Sequence, residues 1–183
     1  MSKSKISFNL LTICGIAVGV LGILSAVLFM VAPIVATLSQ TILSVEITAS
    51  ISVPGILAIF GGTGEVTTVS GSTTVVSTVN DMKFNFMGLL VIILLVLGAI
   101  AIVVGAIKKS KLLICVAVLL LLVGAILSFI EPTFFINANN GENEIAQEFK
   151  DLFKLSPLGI TASVIALIST LGAGAEMYLV LKK

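Results

Sequence analysis

The sequence predicts an integral membrane protein: a bundle of four transmembrane helices that carries a small extracellular antiparallel β-sheet. Of its 183 residues, 58% are apolar and only 10% are charged, whereas a soluble domain carries roughly 25% charged residues. The charges lie in short stretches between four long apolar runs. Because about 20 apolar residues in a helix cross the hydrocarbon core of a bilayer, we interpret residues 1–183 as one integral membrane domain.

The four apolar runs give the predicted spans in chain order. The first run is longer than a bilayer requires, so we expect it to tilt or to project beyond the membrane, with a kink near Pro33. It also exceeds the apolar core of a signal peptide, which is about 7 to 15 residues long, and we interpret it as an uncleaved anchor. The predicted spans cover residues 8–38, 84–107, 112–130 and 157–181.

The lysines predict the orientation of these spans. The two loops at residues 39–83 and 131–156 together hold eight acids and three lysines. Cytoplasmic loops carry an excess of basic residues, so we predict a multi-pass protein of the cell membrane with both termini in the cytoplasm. The cytoplasmic side, which includes the inner turn at residues 108–111, then holds Lys3, Lys5, Lys108, Lys109, Lys111, Lys182 and Lys183.

The first outer loop has the pattern of a small β-sheet. Residues 45–53 alternate between apolar and polar side chains and end before a proline, which is typical of a half-buried strand. A second β-prone run covers residues 56–60. Two further runs, residues 66–70 and 73–79, flank a Gly-Ser pair whose composition suits a two-residue hairpin turn. We therefore expect three or four antiparallel strands.

The second outer loop has the spacing of a short amphipathic helix. We expect this helix to lie on the sheet or at the lipid headgroups; binding of a partner protein is the alternative. Ser156 and Pro157 then suit the N-cap and the first residue of the fourth span. The apolar face of the helix is formed by Ile145, Phe149, Leu152 and Phe153.

Small residues recur at spacings of three and four on the first and fourth spans. In lipid, helices associate by close packing, so such stripes mark the faces where two backbones approach each other. We therefore predict that spans one and four pack closely. The helix-packing residues are Gly15, Gly19, Gly22 and Ala26 on the first span and Gly159, Ala162, Ala166, Ser169 and Ala173 on the fourth.

Glu176 is the one ionisable residue inside a predicted span, and it continues the stripe of the fourth span three residues beyond Ala173. Acids within a membrane helix are costly and are therefore candidates for function. Three interpretations stay open. Glu176 has a structural or interfacial role near Lys182, or it transfers a proton or an ion, or it docks against another membrane protein.

The composition excludes several kinds of chemistry. The chain has no histidine and no arginine, so imidazole catalysis, histidine-ligated metals and bidentate arginine clamps cannot be built. Cys14 and Cys115 lie inside apolar runs, which does not suit a disulfide between outer loops. The net charge of +1 argues against a nucleic acid partner. We predict no enzymatic activity, no cofactor and no bound metal.

In topology the chain resembles the claudin and PMP-22 superfamily. The likeness consists of four spans, cytoplasmic termini, a long first outer loop rich in β-forming residues, a short inner turn and a shorter second outer loop. The chain contains no tryptophan and neither cysteine lies in a loop, so no residue role is transferred. The resemblance implies a membrane organiser that makes lateral and outward-facing protein contacts.

These observations lead to three functional hypotheses. The first is a non-enzymatic membrane organiser or adhesion protein, whose outer sheet and small-residue helix faces bind copies of itself or other membrane proteins in the bilayer. The second is an accessory subunit of a transporter or secretion complex that docks through Glu176 and the fourth span. The third is a small channel, which is disfavoured because the first three spans carry no charged residue.

Overall fold

The computed structural model describes residues 2–42, 45–139 and 152–182. Within them, four helices are long and apolar enough to cross a membrane, and they match the predicted spans in number and order. The elements in chain order are α1 (Ser2–Val31), β1 (Ile34–Ile42), β2 (Val45–Val53), α2 (Gly55–Phe60), β3 (Gly62–Ser70), β4 (Thr73–Met82), α3 (Phe86–Lys108), α4 (Lys111–Phe129), α5 (Glu131–Asn139), β5 (Phe153–Leu155) and α6 (Pro157–Leu181).

The first apolar run is divided between a helix and a strand. Helix α1 ends at Val31, and β1 begins at Ile34, so residues 34–38 are extended rather than part of the first span. Pro33 disfavours the helical conformation at the residue before it. The β-branched residues that follow have a high strand propensity. The predicted kink is therefore a complete end of the helix.

The strands form one five-stranded sheet in the order β4-β3-β2-β1-β5, and every pair is antiparallel. Strand β2 has the predicted bounds. Gly71, with φ +58°, and Ser72 connect β3 to β4, which confirms the predicted hairpin. Two strands were not predicted: β1, which comes from the end of the first apolar run, and β5, which comes from the second loop.

The prediction of a strand at residues 56–60 is wrong, because these residues form helix α2. A short apolar run has no alternation that distinguishes a strand from a buried helix. The flanking residues favour the helix: Pro54 precedes its first turn, and Gly61 ends it with φ +67°, a conformation that glycine adopts readily.

The second loop starts with a helix that the sequence reasoning missed, α5 (Glu131–Asn139). The predicted amphipathic helix falls mostly on residues 140–151, outside the described residues, and its last member Phe153 belongs to β5. The predicted start of the fourth span is confirmed. The Gly159 N–H donates a hydrogen bond to the Ser156 hydroxyl (3.2 Å), and α6 begins at Pro157.

The described chain separates into two compact units. The helical unit comprises Met1–Leu28, Leu90–Ser128 and Thr161–Lys183, and the sheet unit comprises Phe29–Leu89 and Phe129–Ile160. The division falls inside all four long helices, so no linker in the sequence marks it. The core of the sheet unit is made of Ile34, Val53, Leu57, Ala58, Val66, Phe135 and Ile136.

Candidate functional site

The two edges of the sheet differ in length and charge. Among the described residues, no strand pairs with the outer side of β4 or of β5. Strand β4 is ten residues long, and its central Val75 and Val76 are 53% and 55% exposed. Strand β5 has only three residues, and its middle residue Lys154 is exposed. Short length and lysine protect an edge against pairing with another chain, so of the two edges in the described part of the chain, the β4 edge is the open one.

The open edge also lacks the other common protective devices over most of its length. Residues 73–80 contain neither a charged residue nor a proline. The irregular pairing between Gly62 and Gly64 and the positive φ of Asp81 (+63°) are confined to the far end of the hairpin. Strand edges present unpaired backbone N–H and C=O groups. Residues 73–80 are therefore the candidate assembly surface of the sheet unit.

A buried carboxyl lies within the sheet unit, at Glu131. Its side chain is 2% exposed, and the Asn85 Nδ2 donates a hydrogen bond to its Oε1 (3.2 Å). The other oxygen, Oε2, has no hydrogen-bond partner among the described residues. Burial raises the pKa of Glu131 from an ordinary 4.5 to about 8, because a desolvated carboxylate is unfavourable. The group is mainly protonated at neutral pH.

Asn85 joins three elements at this carboxyl. Its Oδ1 accepts a hydrogen bond from the Gly88 N–H (3.0 Å), which makes it the N-cap of α3. Its backbone N–H donates to the Ile59 carbonyl (2.9 Å) at the end of α2. The sequence reasoning missed both Asn85 and Glu131. An asparagine just before an apolar run is an N-cap signal, whereas nothing in the sequence connects it to Glu131.

The space beside the Glu131 carboxyl is small. A cavity of about 10 Å³ lies there, lined by Phe29, Ile34, Gly55, Ile59 and Leu155, among others. This volume is near the minimum for one water molecule. The cavity is too small for an organic ligand.

Glu176 is buried in the helical unit, where it is 2% exposed. Neither carboxyl oxygen has a hydrogen-bond partner among the described residues. The carboxyl faces Gly15 of α1: a Cβ placed on this glycine would lie 2.9 Å from Oε1. Gly15 therefore provides the room that the carboxyl occupies. In this position the carboxyl of Glu176 faces the interior of the helical unit.

The glycines of the α1 stripe face more than one helix. A Cβ on Gly19 would lie 3.0 Å from the Ala99 carbonyl of α3. A Cβ on Gly22 would lie 3.0 Å from the Ala99 Cβ, 3.3 Å from Leu121 of α4 and 3.4 Å from Ser169 of α6. The stripe thus runs where α1 meets α3, α4 and α6, and is continued by the buried Ala26.

The stripe of α6 is buried from Ala162 onward. Two serine hydroxyls form hydrogen bonds between α1 and α6. Ser25 donates a hydrogen bond to the Ala162 carbonyl (2.7 Å), and Ser169 donates one to the Val18 carbonyl (2.9 Å). Gly159 differs, because its nearest neighbours are Leu155 and Ser156 in its own capping turn. The buried small residues of the α6 stripe are Ala162, Ala166, Ser169 and Ala173.

The described part of the chain offers little other chemistry. No three Cys, Asp or Glu side chains there are close enough to hold a metal ion. Cys14 and Cys115 are free thiols with exposed side chains. The two features that remain are the open strand edge of β4 and the buried carboxyl of Glu131.

No protein-family model, curated protein or solved structure matches the chain significantly.

Proposed function

We propose that the protein is a non-enzymatic four-span membrane protein that builds assemblies by pairing its β4 edge with the β4 edge of a second copy. The open, uncharged edge at residues 73–80 is the observation that carries this proposal. Adding a strand at a free edge forms main-chain hydrogen bonds without a dedicated pocket. A symmetric pairing of two identical edges also closes on itself, so it gives a dimer rather than a fibre.

The residues of β4 suit an antiparallel pairing with a two-fold axis at Val76. In this register Val76 faces its own copy, Val75 faces Ser77, and Thr74 faces Thr78. Every pair between residues 73 and 79 is uncharged, so no like charges oppose each other, which would be destabilising. The central pair joins two β-branched side chains, which pack well across strands.

The membrane setting of this proposal follows from the sequence. Four helices are long and apolar enough to cross a bilayer. The excess of lysine on one side favours cytoplasmic termini, and therefore a sheet outside the cell membrane. An outward-facing sheet that joins copies of the protein agrees with the role implied by the claudin-like topology, that of a membrane organiser or adhesion protein.

The competing role as an accessory subunit is less well supported. It would need Glu176 and the fourth span to form a docking surface. Glu176 is 2% exposed and faces Gly15 within the same chain. No described feature of the chain favours docking through this residue over a structural role.

Disulfide cross-linking in native-like membranes tests the proposal. With Cys14 and Cys115 replaced by serine, Val76→Cys brings two thiols opposite each other, because directly paired residues have Cβ atoms about 4.5–5.5 Å apart. We expect Val76→Cys to form a disulfide-linked dimer under mild oxidation. Mixing Val75→Cys with Ser77→Cys should give mixed dimers if the register is correct.

The matched control is Lys154→Cys, which places an exposed thiol on β5 at the opposite edge of the same sheet. This variant should form no disulfide-linked dimer, although its β4 edge still pairs. Equal cross-linking at both edges would indicate random collision and would contradict a specific β4 interface.

A further inference from the structure

Helix α2 has one apolar side that is exposed in the part of the chain that the structure describes. Leu57, Ala58 and Ile59 are buried, whereas Ile56 and Phe60 are 53% and 45% exposed. Ile56 and Phe60 are four residues apart, so they lie on the same side of the helix. Residues 47–64, which include α2, contain no charged side chain.

Helix α2 contacts the ends of two long helices. A Cβ on Gly55 would lie 2.7 Å from the Met30 carbonyl near the end of α1. At the other end of α2, the Ile59 carbonyl accepts a hydrogen bond from the N–H of Asn85, the N-cap of α3 (2.9 Å). A Cβ on Gly88 would lie 3.2 Å from the Ile59 side chain. Helix α2 is therefore fixed where α1 ends and α3 begins.

The neighbouring helix ends continue the apolar surface. Val31 at the end of α1 is 48% exposed. Phe84 and Phe86 at the start of α3 are 49% and 62% exposed. Gly61, directly after Phe60, packs against the backbone of Phe84. Apolar side chains are thus exposed both on α2 and at the adjacent ends of two helices that are long enough to cross a membrane.

Several backbone groups of α2 are paired within the protein. The Ala58 N–H bonds the Pro54 carbonyl and the Gly61 N–H bonds the Leu57 carbonyl, both at 2.9 Å. Pro54 has no N–H to satisfy, and the Ile59 carbonyl is bonded to Asn85. Unpaired backbone groups are costly near hydrocarbon, and these groups are paired.

We propose that α2 lies at the outer boundary between lipid headgroups and acyl chains, with Ile56 and Phe60 inserted among the lipids. This inference rests on the proposed membrane-spanning function. Short apolar faces bind this boundary by burying apolar area beside polar groups. The helix anchors the base of the sheet unit to the bilayer surface as well as to α1 and α3.

Tryptophan fluorescence tests this position, because the chain has no native tryptophan. Phe60→Trp, with Ile56→Trp as a second variant, introduces one fluorophore at an exposed apolar site. Each is reconstituted in phosphatidylcholine vesicles brominated either near the headgroup or near the chain end. Leu119→Trp, at a 57% exposed position within α4, reports on a span. Val76→Trp reports on the sheet, because residue 76 is six residues, about 20 Å, along the strand from Met82.

We expect Phe60→Trp to lose about half of its emission in lipid brominated near the headgroup and to be protected from aqueous iodide. Leu119→Trp should respond most to deep bromine, and Val76→Trp should not respond to bromine.

Three results would overturn the inference. If Leu119→Trp is quenched by bromine but both α2 variants are quenched by iodide alone, α2 lies in water, and only this inference fails. If the α2 variants are protected from both quenchers, protein covers the helix instead of lipid. If Leu119→Trp is also insensitive to bromine, the membrane-spanning function fails with it.

Discussion

The helical unit and the sheet unit both bury large apolar side chains, and the helical unit adds stripes of small ones. Leu95 is 0% exposed in the helical unit, as are Ala166 and Ser169. The core of the sheet unit contains Ile34 and Phe135. Small residues let helix backbones approach closely in lipid. The difference between the units is therefore the close approach of helices along the small-residue stripes, not the size of every buried side chain.

The two buried acids follow the same division. Glu131 in the sheet unit has a hydrogen-bond donor in Asn85, whereas Glu176 in the helical unit has none among the described residues. The first acid is part of a network that joins α2, α3 and α5. The second occupies space beside a glycine. Substitutions in the two units should therefore change the free energy of unfolding by different amounts and in different directions.

The largest expected effect is in the core of the sheet unit. Phe135 is 5% exposed, and its ring lies 5.7 Å from that of Phe153. Phe135→Ala removes this contact and leaves a cavity, so we expect a loss of about 3–5 kcal/mol in the free energy of unfolding. Thermal unfolding in mild detergent measures it. Phe84→Ala, at a 49% exposed position, is the control and should cost much less; equal losses would contradict the assigned core.

In the helical unit, a larger side chain in place of a glycine should lower the free energy of unfolding. A Cβ placed on Gly22 would lie within 3.4 Å of three other helices. Gly22→Leu should therefore overpack the bundle and lower the free energy of unfolding by about 1–3 kcal/mol. The matched control is Gly174→Leu, because a Cβ there meets nothing within 4 Å. Similar unfolding curves for the two variants would show that the α1 stripe is not a close-packing surface.

Glu131 should make stability depend on pH. The folded state holds its proton up to about pH 8, whereas the unfolded chain releases it near the ordinary pKa of 4.5. The contribution is complete below pH 4.5 and is lost as pH rises to about 8, with a slope of up to about 1.4 kcal/mol per pH unit. Glu131→Gln should abolish this slope, and Glu65→Gln on the exposed part of β3 should keep it. A wild-type slope in Glu131→Gln would assign the dependence to another group.

The smallest effect should have the opposite sign. Glu176 has no partner among the described residues to lose, so Glu176→Met should raise the free energy of unfolding by about 1 kcal/mol. Glu131→Met should lower it, because the Asn85 amide loses its acceptor. A destabilised Glu176→Met variant would indicate that the carboxyl makes an essential contact, and would restore a functional interpretation of this residue.

Features with a local signal could be predicted from the sequence. Four helices follow from the lengths of the apolar runs, and the β3–β4 hairpin follows from Gly71 and Ser72. Features that depend on residues distant in the chain could not be predicted. Strand β5 forms only by pairing with β1, and Glu131 meets Asn85 across 46 residues of chain. Helix α2 was missed because a short apolar run has no periodicity to separate helix from strand.

The proposed pairing of two β4 edges places the two copies of Val76 opposite each other, so exchanging charges at this residue tests the pairing. Energy transfer between donor- and acceptor-labelled chains in proteoliposomes would be measured for Val76→Lys and Val76→Glu. Each variant alone should lose transfer, because like charges meet at the two-fold axis, and mixing the two should restore it through opposite charges. Ser72→Lys in the adjacent turn should leave transfer unchanged. Wild-type transfer in Val76→Lys alone, or no recovery on mixing, would contradict pairing at this edge.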